Sequence, residues 1–397
     1  MTPGDAVSKL HVTLSGDVFL KSRRTQKGLI SRARSNLGHA IVGAGYRGAI
    51  QRVGSHRFEL SPSSDTLSDT RRAALSVFGI SSVDTVRAVP FTNVEDLARR
   101  VGAMTADGVS GRTFAVRVKR SGVHDWNSMD LARTIGSILH EDSAGVNLTD
   151  PEVEVRVTVL DDKAFLVTDH QRAAGGLPLG TQDKVLCLVS GGFDSVVAAW
   201  MMMSRGCPVD FVHFSLHCAQ ADHALAVARE LWTRWGHGTE PSVHLVEFEF
   251  VKEALFEHVD ARMRQVALKV MMAEAASEIA QDANISALVT GDSLGQVSSQ
   301  TLPHLVAVSK SVETPLLRPL LGLPKESIID LARKVGTAEL SARAQEVCDL
   351  SAGGRVATAA SEHAIAETVD RIPEEVLADA VATRKTFALR DWTPGQF

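Results

Sequence analysis

The chain has 397 residues, 44 % hydrophobic and 22 % charged, which is long enough for two or three domains and excludes a disordered or low-complexity protein. No run of 18 apolar residues occurs, and the N-terminal MTPGDAVSKLHVTL lacks a basic stretch followed by an apolar one; neither a membrane span nor a secretory signal is expected, and a cytoplasmic location is. The net charge of −5 conceals an asymmetry: residues 1–180 hold 23 Lys+Arg against 19 Asp+Glu and residues 181–397 hold 19 against 28, so a polyanion partner is expected on the first part and chemistry on the second.

Residues 9–14 (KLHVTL) are predicted as a strand and residues 22–41 as a helix whose inward positions include Ile30, Ala33, Leu37 and Ile41. Lys21, Arg23, Arg24 and Lys27 gather at its start, a surface suited to a phosphate backbone or simply to solvent. A hairpin over 49–53 and 56–60 turns at Gly54-Ser55, and a helix near 69–78 and a strand near 85–89 complete a βαββαβ order, the split pattern of a ferredoxin-like fold. A second small α/β unit follows, with a helix at 94–101 and a strand at 113–120. In that strand Phe114, Val116 and Val118 face inward and Arg117 and Lys119 outward, with Arg120 at its end. Ser128 is expected to cap a helix carrying Leu131, Ile135, Ile138 and Leu139 on one side. Val153, Val155, Val157 and Val159 then alternate with polar residues, and Asp161-Asp162 turns that strand back into 164–167.

Gly175 to Gly180 (GGLPLG) mark a boundary, after which VLCLVSGGFDSVVAAWMMM (185–203) reads as strand, tight loop and helix. Two adjacent glycines allow positive φ and close approach of a ligand, and amides at a helix start attract an anion, so Ser190, Gly191, Gly192, Phe193, Asp194 and Ser195 form a candidate phosphate cradle. No Gly-Lys-Ser/Thr follows, so the loop is not a Walker A; an acid in an anion site implies a cation, and Asp194 is assigned to magnesium. Strands at 209–214, 243–248 and 287–290 alternate with helices at 221–235 and 252–281, which predicts a doubly wound parallel sheet with ligands at the strands' carboxyl ends. The polar stretch 290–301, containing Asp292, is a candidate binding loop. Lys325 opposes the dipole in the first turn of another helix, which is explained if it reaches an anion. Four cysteines, Cys187, Cys207, Cys218 and Cys348, include no CxxC pair, so neither zinc, an iron–sulfur cluster nor a disulfide framework is expected.

SGGFDS resembles the pyrophosphatase loop of enzymes that cleave ATP between its α and β phosphates. With GDVFLKSRR, FAVRVKRSGVHDWNSMDLARTIGSIL, GGLPLG and TGDSLGQVSSQT, it makes the chain similar over nearly its whole length to the tRNA 4-thiouridine synthetases, the ThiI family of tRNA sulfurtransferases. That resemblance implies a ferredoxin-like domain at 1–90, a THUMP RNA-binding domain at 91–175 and an ATP pyrophosphatase domain at 181–397. It implies ATP contacts at Val189 to Ser195, His213, Phe214, Gly291, Asp292, Gln300 and Arg318, RNA contacts at the seven basic residues named above, catalytic roles for Asp194 and Lys325, and a persulfide carried on Cys348. The implied reaction adenylates uridine O4, at position 8 of tRNA, and replaces it with sulfur. The implied partners are tRNA and a cysteine desulfurase or other persulfide donor, with a homodimer left open. Departures occur at Asp292, where the family has glutamate, at His217, Cys218 and Val270, and around Cys348 at Gln345 and Asp349. No rhodanese domain is expected in a chain that ends at Phe397. Modification of another tRNA base, of a small-molecule carbonyl, or RNA binding without catalysis stay open as alternatives.

Overall fold

A computed structural model describes residues 8–216, 221–344, 350, 357–358 and 360–396. Two compact units divide the chain, Met1–Gly176 and Leu177–Phe397.

The first unit begins with β1 (Lys9–Leu14), α1 (Gly16–Phe19), α2 (Arg23–Gly43), β2 (Gln51–Val53), β3 (Arg57–Leu60), α3 (Ser64–Leu75) and β4 (Ile80–Val89). β1 lies between β3 and β4 and is antiparallel to both, and β2 pairs antiparallel with β3, the arrangement expected of the split βαβ pattern. Then come α4 (Val94–Val109), β5 (Thr113–Ser121), α5 (Ser128–His140), β6 (Gly145–Val146), β7 (Val153–Leu160) and β8 (Lys163–Arg172). β5 is parallel to β6 and β7, and β7 turns back into β8 at Asp161, whose φ of 52° an aspartate tolerates. Because β8 pairs with β4, the described strands of this unit form one eight-stranded sheet in the order β2-β3-β1-β4-β8-β7-β5-β6.

Several local expectations change. The helix expected near 69–78 starts at Ser64, with Asp65 in its first turn complementing the dipole, and ends at Leu75. β4 starts at Ile80 because Ile80 and Val83 already pair with Leu14 and Val12. The cap of α5 is Asn127, not Ser128: its side chain accepts from the Met129 and Asp130 amides while the Asp130 carboxylate accepts from the Asn127 amide. Ile138 stays 43 % exposed rather than joining Leu131, Ile135 and Leu139 in the core.

The second unit contains β9 (Val185–Leu188), α6 (Phe193–Ser204), β10 (Val209–Ser215), α7 (Ala221–Trp235), β11 (Ser242–Glu247), α8 (Glu249–His258), α9 (Arg264–Asp282), β12 (Ala287–Val289), α10 (Leu302–Lys310), β13 (Leu316–Leu317), α11 (Lys325–Val335), α12 (Ala338–Ser341), α13 (Glu362–Val369), α14 (Glu374–Ala382) and β14 (Lys385–Ala388). The single helix expected over 252–281 is two, because Val259 is extended and the Asp260 carboxylate accepts from the Arg262 amide in the turn between them. Among the described residues the sheet runs β13-β12-β9-β10-β11-β14, parallel except for β14. β10 is buried along its whole length, as a strand covered on both faces must be.

From β9 the chain steps outward to β10 and β11, then returns to the other side of β9 for β12 and β13. Connections that leave β9 and β12 in opposite directions open a crevice at their carboxyl ends, where doubly wound sheets bind ligands.

Candidate active site

The loop after β9 occupies that crevice. The Val189 amide still donates to the Val212 carbonyl at 2.9 Å, and the chain then leaves the sheet. Gly191 has φ 82°, and a Cβ there would lie 2.6 Å from the His223 ring, so both conformation and space demand glycine. Gly192 is the N-cap of α6 and no side chain bonds to the helix's first amides, which leaves them for a ligand. The Ser195 hydroxyl accepts from the Ser190 amide at 3.3 Å and donates to the Gly192 carbonyl at 3.5 Å, so it closes the loop on itself, while Ser190 is exposed.

Three elements meet at Asp194. Lys325 Nζ, at the start of α11, donates to both carboxylate oxygens at 2.8 and 3.0 Å, and Gln296 Nε2, from the loop after β12, donates to Oδ2 at 2.8 Å. Lys325 also lies 5.7 Å from the centre of the Phe193 ring. Thus the lysine that opposed its helix dipole does reach an anion, one placed 131 residues earlier.

A second carboxylate organises the other wall. Asp292 accepts from Lys269 Nζ at 2.7 Å, Thr290 Oγ1 at 2.8 Å, and Gln300 Nε2 and Arg318 Nε at 3.3 Å each. Burial alone would raise its pKa, but the charges and hydrogen bonds of Lys269, Thr290 and Arg318 prevail and hold it below the ordinary aspartate value. Arg318 is fixed further by donating to Ser309 Oγ at 2.6 Å and the Leu305 carbonyl at 3.1 Å. Gly291 joins the two walls: a Cβ on it would lie 2.6 Å from the carbonyl carbon of Asp194 and from the Ser195 nitrogen. Three cations face two carboxylates, and with the open end of α6 the crevice keeps a positive surplus suited to a polyphosphate.

His213 Nδ1–H donates to the Val189 carbonyl at 2.8 Å; burial, opposed by this bond, lowers the ring's pKa and keeps it neutral. The Phe214 ring packs against Phe248 in the core, with centroids 4.6 Å apart. Cys187 and Cys207 are buried, and burial pushes the Cys187 thiol up to about 12, so both are core residues. Val270 is likewise core, packed with Ala307, Val308 and Ile365. Cys348, Gln345, Asp349, His217 and Cys218 lie outside the described residues. No group of three or more His, Cys, Asp or Glu among the described residues can hold a metal ion by itself, and no described helix is long and apolar enough to cross a membrane.

In the first unit Lys21, Arg23, Arg24 and Lys27 are exposed. Arg117 Nε meets Glu154 at 3.3 Å, Lys119 is exposed, and Arg120 donates to His124 Nδ1 at 2.8 Å while lying 5.6 Å from the centre of the Trp126 ring. Lys119 and Arg120 line a cavity of about 170 Å³ with Thr13, His56, Arg57 and Thr158. Burial, against the pull of Asp84, lowers the Arg57 guanidinium from its ordinary value. Arg57 and Lys269 are given no role by the sequence, and Gln296 only membership of the 290–301 loop. Basic residues beside the Gly54-Ser55 turn were a signal for the first, whereas the other two become partners of acids only through long-range folding.

The family model described as "Thiamine biosynthesis protein (ThiI)" matches residues 180–373, and that of the THUMP domain matches residues 91–169. A tRNA sulfurtransferase of Desulfurococcus amylolyticus is 35 % identical over 364 residues, covering 91 % of this chain and 74 % of that protein. One of Shigella dysenteriae is 42 % identical over 281 residues, 70 % of this chain and 58 % of its own length, so the chain spans only part of these relatives. The crystal structure of a 4-thiouridine synthetase–RNA complex with bound ATP shares the fold with a TM-score of 0.78 at 23 % identity, covering 96 % of this chain and 99 % of that one. With 35 % identity sustained over three-quarters of the Desulfurococcus protein, the chain belongs to the tRNA sulfurtransferase family.

Proposed function

We propose that this chain thiolates tRNA at the expense of ATP, forming 4-thiouridine, with position 8 as the target. Residues 1–90 and 91–175 bind the RNA, recognising shape and phosphates through Lys21, Arg23, Arg24, Lys27, Arg117, Lys119 and Arg120, and residues 181–397 carry out the chemistry. The observation that carries this proposal is the cationic crevice between the 190–195 loop and Asp292, at the carboxyl ends of β9 and β12.

A uracil carbonyl oxygen is a poor leaving group. In this mechanism the amides of Ser190 to Ser195 cradle the ATP phosphates, with Val189, His213, Phe214, Gly291 and Gln300 completing the nucleotide site, and Lys325 holds the departing pyrophosphate. Lys269 and Arg318, both tied to Asp292, supply the surplus charge behind them. Uridine O4 attacks the α-phosphorus and pyrophosphate leaves; the outer sulfur of a persulfide on Cys348 then attacks C4 and displaces AMP, and an external thiol reductant, itself oxidised to a disulfide, cleaves the resulting S–S bond to release 4-thiouridine and restore the Cys348 thiol. Asp194 offers one partly exposed carboxylate and no described cluster completes a resident site, a donor set that fits magnesium brought by the phosphates and held chiefly by them and by water. When bound, that ion would neutralise charge gathering on the pyrophosphate. The sulfur comes from a cysteine desulfurase or another persulfide donor, and the work takes place in the cytoplasm.

The test is nucleoside mass spectrometry of tRNA incubated with the protein, ATP, magnesium and a sulfide source. 4-Thiouridine should accumulate with the wild type and fall about 10²–10³-fold with Asp194→Ala while tRNA binding is unchanged. AMP released without any thiouridine would redirect the chemistry to another carbonyl, and no AMP at all would leave an RNA-binding protein.

A further inference from the structure

Gln296 has been given no role so far, yet among the described residues it supplies one of the three hydrogen bonds on the Asp194 carboxylate. The other two come from Lys325, whose side chain is 41 % exposed and which a phosphate would draw away. A divalent cation at Asp194 would also repel that ammonium. An amide carries no net charge, so the Gln296 contact is neither attracted by the anion nor repelled by the cation, and it persists when Lys325 turns to the nucleotide.

The loop that bears Gln296 is a firm support. The Ser293 hydroxyl donates to the Leu323 carbonyl at 2.9 Å, the Leu294 amide to the Leu321 carbonyl at 3.0 Å, and the Gly295 amide to the Gln300 carbonyl at 2.8 Å. At its base Gly291 sits hard against the backbone of Asp194 and Ser195. Gln296 Oε1, in contrast, is buried with no hydrogen-bond partner among the described residues. An uncompensated buried acceptor is a liability that an apolar side chain of equal length would avoid, so the amide is not explained by stability alone.

We propose that Gln296 is a positioning residue: its amide holds the Asp194 carboxylate in the orientation that meets the divalent cation of a metal–nucleotide complex after Lys325 has moved to the phosphates. Gln296 has this role only if the crevice binds a nucleotide as inferred above.

The test uses the full chain and its Gln296→Met and Gln296→Leu variants. Both remove the donor without adding charge, the first at nearly constant length and the second with a shorter, branched side chain. Equilibrium binding of a fluorescent ATP analogue is measured in EDTA and across a magnesium titration. Both variants should bind within twofold of wild type in EDTA yet need about tenfold more magnesium for half of the metal-dependent gain in affinity, the scale of loss seen when a ligand's hydrogen-bonded support is removed. A magnesium midpoint shifted less than twofold in either folded variant, or an equal loss of affinity with and without magnesium, would overturn the proposal and leave Gln296 a structural loop residue. If the wild type binds no nucleotide, or binds it without regard to magnesium, the nucleotide site itself falls and the positioning role with it.

Discussion

Asp194 and Asp292 stand on the two walls of one crevice, both facing cations, yet they are built for different tasks. Asp292 has only 11 % of its side chain exposed, and its partners Lys269, Arg318, Thr290 and Gln300 are themselves held by the fold. Asp194 is 23 % exposed and its chief partner is a lysine whose own side chain is 41 % exposed. A saturated, buried carboxylate fixes cations in place, whereas a partly exposed one with an exchangeable partner can take part in chemistry. From the sequence, Asp194 is assigned to magnesium and catalysis and Asp292 to an ATP contact; burial and partner exposure separate them in the structure as well.

The strongest way to break this contrast is to delete each acid in turn. Asp292→Ala takes the carboxylate from the largely buried Arg318 and the partly buried Lys269 and should cost about 2–4 kcal/mol in chemical denaturation. Asp194→Ala should cost less than about 1 kcal/mol, since it removes a partly solvated pair. Equal losses would show that the two walls do the same work. Gly291→Ala probes the join between them: its Cβ would be forced into the backbone of Asp194 and Ser195, costing about 1–3 kcal/mol and weakening ATP binding more than tRNA binding in equilibrium titrations.

Glu274 sharpens the contrast from a third side, because burial, assisted by the negative charge of Asp370, raises its pKa from 4.5 to about 7. Below the ordinary value it is protonated in both folded and unfolded chains. As pH rises, the unfolded chain releases the proton first, so stability declines between about 4.5 and 7 and levels off above. Glu274→Gln should flatten that part of a plot of thermal midpoint against pH, and an unchanged slope would assign the decline to other groups.

Much of this was legible in the sequence where the signal is local. The apolar run, the SGGFDS turn and the helical spacing after it placed β9, the loop and α6, and α7 spans the residues expected of it, because strand, turn and helix codes act over a few neighbours. The break between α8 and α9 escaped because apolar spacing continues on both sides of it, and only the Asp260 turn ends the first helix. Lys269 lies 23 residues from its acid and Gln296 102 residues from the carboxylate it meets, distances over which periodicity carries no information. The pairing of β4 with β8, which merges two α/β segments into one sheet, was invisible for the same reason.

Of the two strands that flank β9, β12 on the crevice side is about a hundred residues downstream, and Lys325 lies further still. A growing polypeptide therefore displays its glycine-rich turn long before the opposing wall exists. Ribosome-bound nascent chains that stop short of α11 therefore lack Lys325 and its contact with Asp194, and, if the crevice binds ATP as proposed, they should be unable to retain it.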